Sequence, residues 1–214
     1  MRLSEKRWLT LVWILSNKDR SWSILDLQKS SKSLGYGPIW DFVKELERSG
    51  FITKDESSNE FRVSKARDLI QLMALSRPLS TLFPRLFYSA KDFTAKLELV
   101  SRAKMDYALT VFGASELWRS YVKTELVHFY VQTKDLSKWE KYLLSNGCLK
   151  AERSDANILL HPVPLESFFS LTQTIKRLKV APAPVVLADL ISFGSLGQEQ
   201  AQFLMEEWLS GRMK

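Results

Sequence analysis

The sequence predicts an α+β chain: a helical region closed by a β-ribbon, then a stretch in which short strands and helices alternate. Three observations carry this. Apolar residues recur at helical spacing behind Pro38, and two β-prone runs between Phe51 and Val63 flank a polar loop. Beyond Asp92, apolar runs of strand length alternate with amphipathic helical ones, the pattern of a small α/β domain with a mixed sheet.

Taken in order, Trp8, Leu11, Val12 and Leu15 put an apolar stripe on a first helix from about Ser4, broadened by Trp13 and Ile14. Asn17 to Arg20 is a polar break. Ser23 can cap a short helix, Ile24 to Lys29, because its hydroxyl takes up an orphan N–H. A Ser/Gly-rich turn then delivers the chain to Pro38, whose missing N–H suits the first turn of a helix. Ile39, Phe42, Val43 and Leu46 form the inward stripe, and Gly50 accepts the left-handed conformation of a helix end. Phe51–Lys54 and Glu60–Val63 are the two strands of the ribbon. Three helices followed by a hairpin make a winged helix–turn–helix, a duplex-docking layout whose third helix enters the major groove.

Ala66 to Leu75 continues as a helix. Pro78 and Pro84 then interrupt propagation, which sets the expected division: residues 1–76, a connector over 77–91, and residues 92–214. In the second part, helices are expected over Asp92–Lys104, Ala114–Tyr121, Leu136–Leu144, Val185–Ile191 and Gln198–Leu209. Strands are expected over Tyr107–Phe112, Leu126–Val131, Cys148–Leu149 and Asn157–His161, with Gly194 and Gly197 bracketing a turn.

Composition narrows the function classes. The 214 residues carry 31 Lys/Arg against 24 Asp/Glu, a formal charge of +7, and the excess lies in the first half. A basic first half is where a nucleic-acid partner would need it. A single cysteine, Cys148, rules out an internal disulfide and makes a reducing compartment the default. No secretory apolar segment opens the chain, and nothing approaches the ~18 uninterrupted apolar residues of a spanning helix. The expectation is a cytoplasmic protein with no membrane partner.

On the winged-helix layout, the expected DNA-binding residues are Lys29, Lys32 and Ser33 in and before the turn, Tyr36, Trp40 and Lys44 along the third helix, and Arg62 on the returning strand. Lysines and arginine would anchor phosphates, while Tyr36, Trp40 and Lys44 flank the helix end that meets base edges. Asp41, Glu45 and Glu47 share the outward face and would repel phosphate.

No catalytic residue is assigned. A strand, a Gly113-Ala114-Ser115 helix start and a second strand resemble the opening of the nucleotidyltransferase fold. In that fold a Gly-Ser pair holds a triphosphate and two carboxylates on the next strand bind metal. Here the next strand reads Val127-His128-Phe129-Tyr130-Val131, without the acids that would hold Mg²⁺. His128 and His161 are read as structural strand residues, Cys148 as a buried inert thiol, and Asp189 as a local polar contact. No metal and no cofactor are expected, and the chain is read as a non-enzyme.

The winged helix, the strand with Ala108-Leu109-Thr110, the Gly113-Ala114-Ser115 helix, and Val180-Ala181-Pro182 followed by Leu187-Ala188-Asp189-Leu190 together resemble the AbiEi-type antitoxins of type IV toxin–antitoxin systems. The resemblance implies a DNA-binding N-terminal domain, an inactive nucleotidyltransferase-like domain over 92–214, and autoregulation of an operon. It also implies a separate cognate toxin as partner. Double-stranded DNA and a homodimer on a palindromic site complete the expected partners. Two other readings stand beside it: a protein-interaction module without DNA binding, and a metal-dependent nucleotidyltransferase using Asp106, Glu116 or Glu125.

Overall fold

The computed structural model describes residues 3–30, 35–76, 86–90, 92–152, 154–163 and 166–213. The chain is a mixed helix-and-strand fold with two sheets.

The first sheet belongs to the N-terminal region. Helix α1 (Glu5–Ser16) starts at Ser4, whose hydroxyl accepts from the Arg7 N–H at 3.3 Å. Helix α2 (Ile24–Ser30) opens on a reciprocal cap: Ser23 donates its N–H and hydroxyl to Asp26, and the Asp26 N–H donates to the Ser23 hydroxyl. These bonds hold the exposed Asp26 carboxyl below the usual aspartate range. Helix α3 (Tyr36–Arg48) starts two residues earlier than Pro38 suggested, with Pro38 in its first turn. It stops at Gly50, which takes φ +69°. Strands β1 (Ile52–Asp55) and β2 (Glu60–Val63) pair antiparallel, from Ile52 opposite Val63 to Asp55 opposite Glu60. Trp22 exchanges both backbone hydrogen bonds with Phe61 and stacks on its ring at 5.3 Å, fastening the α1–α2 loop to the ribbon.

Helix α4 (Ala66–Ser76) follows. The connector expectation falls partly on residues outside those described, 77–85 and 91. Within it, Leu86–Ser89 is not a link but a strand, β3. Then come α5 (Phe93–Arg102), capped by the Asp92 carboxylate on the Ala95 N–H, β4 (Tyr107–Thr110) and α6 (Val111–Trp118). Next are β5 (Val127–Gln132), α7 (Leu136–Ser145), β6 (Leu149–Lys150) and β7 (Ile158–Val163). After a 3₁₀ segment at Glu166–Leu171, β8 (Gln173–Ile175) and β9 (Leu178–Val180) form a hairpin. Helices α8 (Ala183–Ser192) and α9 (Ser195–Leu209) close the chain.

The second sheet has seven strands in the order β6-β3-β7-β5-β4-β9-β8. The β5–β7 and β4–β9 pairs are parallel and the rest antiparallel. The central strands β4, β5 and β7 are buried along their whole length, as expected when both faces are covered.

Several expectations need correction. The strand over Tyr107–Phe112 ends at Thr110, because Val111 turns to φ +48° and begins α6 at once. The helix expected over Ala114–Tyr121 is therefore shifted to Val111–Trp118. Strands β3, β8 and β9 were not anticipated. Gly197 lies not in a turn but in the first turn of α9, where a Cβ would come within 2.2 Å of the Leu190 carbonyl oxygen.

Helix α8 organises the packing. Pro184 to Leu190 are all buried, and the helix lies against α1, α4, α6, α9 and β4. Ser192 ties it to α4 by donating to the Ala74 carbonyl at 3.2 Å. This explains why α1 is buried continuously from Trp8 to Leu15 rather than along one stripe. Among the described residues no helix is long and apolar enough to cross a membrane.

Candidate nucleic-acid interface

The outer face of α3 is built by its own spacing. With Ile39, Phe42, Val43 and Leu46 fully buried, Tyr36, Trp40 and Lys44 fall four residues apart on the opposite side. Their side chains form a continuous row. The Tyr36 and Trp40 rings lie nearly parallel with centroids 6.4 Å apart, and the Lys44 ammonium sits 5.0 Å from the Trp40 ring centroid. Tyr36 is 48% exposed and Trp40 37%, which leaves ring edges open to solvent.

The acids on this helix are largely engaged. Glu45 accepts from Arg7 of α1 at 3.0 Å, and the Arg7 guanidinium also lies over the Phe42 ring at 5.3 Å. Glu47 accepts from Lys44 at 2.7 Å. Both pairs are partly shielded, so they persist better than fully solvated pairs would. Asp41 alone of the three remains exposed without an ion pair among the described residues. Arg7 is thus a residue that sequence reasoning missed. Its partner lies 38 positions away, and no local pattern joins them.

The remaining expected residues are dispersed. Lys29 is exposed at the end of α2, and Arg62 is exposed on β2 opposite Thr53. No hydrogen bond, ion pair or ring contact among the described residues links either one to the α3 row. Lys32 and Ser33 lie outside the described residues.

A second polar constellation sits in the middle of the seven-stranded sheet. The Thr110 hydroxyl and the Tyr130 hydroxyl both donate to the same Asp189 oxygen, at 2.5 and 2.6 Å. Two residues along β5, His128 Nδ1 lies 3.0 Å from Nε2 of His161 on the adjoining β7, with the ring planes nearly parallel and the centroids 5.3 Å apart. Asp189 therefore joins α8 to two strands rather than making a contact within its own helix. All five side chains are buried, and the two bonds to Asp189 tie α8 to β4 and β5. Residue alternation could have flagged part of it, since His128 and Tyr130 share one face of β5.

The helix start at Gly113-Ala114-Ser115 also faces the core. Ser115 is buried and donates to the Phe112 carbonyl, and Gly113 packs on the backbone of His128. Burial pushes the Cys148 thiol up. Glu125 pairs at 3.7 Å with Lys96, whose ammonium is fully buried and donates to the Glu125 carbonyl at 3.0 Å; burial holds that ammonium below the usual lysine range. Among the described residues there is no group of three or more His, Cys, Asp or Glu that could hold a metal ion. No protein-family model matches the chain, and neither the curated proteins nor the solved structures compared with it give a match.

Proposed function

We propose that this chain is a DNA-binding transcriptional regulator whose first 76 residues act as a winged helix, with α3 as the reading helix and the β1–β2 ribbon as the wing. The observation that carries the proposal is the Tyr36–Trp40–Lys44 row, whose two rings are exposed and whose lysine is half-buried. Flat ring edges suit contact with thymine methyl groups, while Lys44 beside them is held by Glu47 and serves to offset that carboxylate. Supporting it, Arg7 and Lys44 neutralise Glu45 and Glu47, two of the three carboxylates that would oppose phosphate. The basic excess of the first half of the chain points the same way.

The antitoxin part of the proposal rests on the resemblance to AbiEi-type proteins. On that reading, residues 92–214 are a nucleotidyltransferase-like domain without transferase activity, and the regulated promoter is the chain's own. The test is fluorescence anisotropy with a duplex from upstream of the coding region, titrated at several salt concentrations. Affinity should fall steeply with salt, with a log–log slope of about −0.9 per phosphate neutralised. Trp40→Ala should weaken the specific duplex by about 1–3 kcal/mol and a scrambled duplex much less. Salt-independent binding, or a Trp40→Ala protein that binds like the parent, overturns the proposal. Co-expression with any adjacent nucleotidyltransferase-like protein tests the antitoxin assignment separately.

A further inference from the structure

The end of the seven-stranded sheet farthest from α6 carries a polar cleft. The segment Ala103 to Asp106 and the first residue of β4, Tyr107, line it, so the cleft lies at the opposite end of that strand from the Gly113-Ala114-Ser115 helix start. Its volume is about 410 Å³, and its lining includes Lys104, Lys138, Arg177 and Lys179 against only two carboxylates, Asp106 and Asp135.

The two carboxylates are already committed. Asp106 accepts from Lys179 at 3.0 Å and from the Gln132 amide at 3.2 Å, and Asp135 accepts from Lys138 at 2.7 Å. Lys104 and Arg177 are exposed and make no ion pair among the described residues. Two positive charges are therefore left over at the rim.

The backbone of the β8–β9 hairpin supplies an independent observation. Ile175 pairs with Leu178, so the loop is the two residues Lys176 and Arg177, at φ +48° and +69°. A two-residue hairpin loop of this hand is ordinarily built from Asn-Gly or Gly-Gly, because a side chain at positive φ strains the backbone. Here both positions carry long cationic side chains instead. The strain is tolerated at a spot that holds a guanidinium over the cleft, which is where strained backbone tends to mark function.

We propose that this cleft binds a compact polyphosphate anion, either free or carried by a small molecule. Arg177 presents its planar fork to one phosphoryl group and Lys104 neutralises another, while the Lys179–Asp106 and Lys138–Asp135 pairs hold the walls in place. A monoanion would meet only one of the two uncommitted cations, so the site favours a ligand with charge on more than one phosphoryl group. The assignment is independent of the α3 row and of DNA binding.

The test is isothermal titration of the full chain with tripolyphosphate and with orthophosphate, in divalent-free buffer. Saturable one-site binding is expected, with tripolyphosphate at least about tenfold tighter. Arg177→Gly removes the guanidinium and relieves the positive φ, so its melting temperature should not fall while tripolyphosphate affinity drops about tenfold. Lys104→Ala, at an exposed position, should weaken binding comparably, and neither variant should alter a duplex shift. No saturable uptake of tripolyphosphate, or parental affinity in both variants, overturns the proposal.

Discussion

His128 and His161 meet edge to edge in the centre of the sheet, their planes nearly parallel, with Nδ1 of the first 3.0 Å from Nε2 of the second. A hydrogen bond between two imidazole nitrogens needs one N–H and one lone pair, so at least one ring of the pair is neutral. Replacing either histidine by phenylalanine removes that bond and leaves a buried nitrogen without this partner. Each single variant should lose about 1–3 kcal/mol in urea unfolding. The double variant should lose less than the sum, because the bond between the two rings can be lost only once. Simple additivity would show that the two rings contribute separately.

Tyr88 makes a pH-dependent test. Its side chain is fully buried, its hydroxyl has no hydrogen-bond partner among the described residues, and burial pushes its pKa up to about 12. Between the ordinary tyrosine value and about 12, the unfolded chain sheds a proton that the folded chain keeps, so stability falls as pH rises through that window. Tyr88→Phe should flatten this alkaline decline, leaving the part due to Tyr107 and Tyr142, whose hydroxyls burial also raises. At neutral pH the variant should match the parent or gain up to about 1 kcal/mol, since no buried hydroxyl is left unsatisfied. An unchanged alkaline limb would refute the assignment.

Gln200 holds the loop after α6. Its amide oxygen accepts from the Tyr121 and Val122 N–H groups, each at 2.8 Å, and its amide nitrogen donates to the Arg119 carbonyl at 2.9 Å. Three bonds at roughly 1 kcal/mol each set the expected loss for Gln200→Leu at about 3 kcal/mol. Hydrogen exchange should speed up at Tyr121 and Val122 first. Protection that stays intact at those two amides would mean the loop is held by something else.

Gly197 is where α9 passes closest to α8. A methyl group there would meet the Leu190 oxygen at 2.2 Å and Phe193 Cβ at 2.8 Å, neither of which can move without displacing a helix. Gly197→Ala should cost about 1–3 kcal/mol or more by overpacking. Gly35→Ala, where a Cβ would meet nothing within 4 Å among the described residues, should cost far less. Equal melting temperatures for the two variants would contradict the close approach.

Helices α2 and α3 were legible because they are turned half to solvent, so periodicity maps onto burial, whereas the continuous burial of α1 from Trp8 to Leu15 depends on its cover by α8. The Tyr36–Trp40–Lys44 row follows from that periodicity alone. Its electrostatic setting does not, since Arg7 reaches Glu45 only through the fold. In the sheet, Val111-Phe112 look like more strand by composition, yet a positive φ at Val111 ends it. The β8–β9 hairpin was invisible because Lys176-Arg177 carry none of the usual turn chemistry and each strand has three residues. Strand β3 hid behind two prolines that read as a linker. The cleft beside the hairpin went unseen for the same reason.

Helix α8 is buried all the way round over Pro184 to Leu190, and α1, α4, α6, α9 and β4 supply its surroundings. Cutting the chain between α4 and β3 would therefore not release two tidy modules. The shorter fragment would carry away the cover of α8 and bare the inner sides of α1 and α4. Each fragment would then be prone to self-association, and a denaturation curve of the intact chain should show a single sigmoid rather than two.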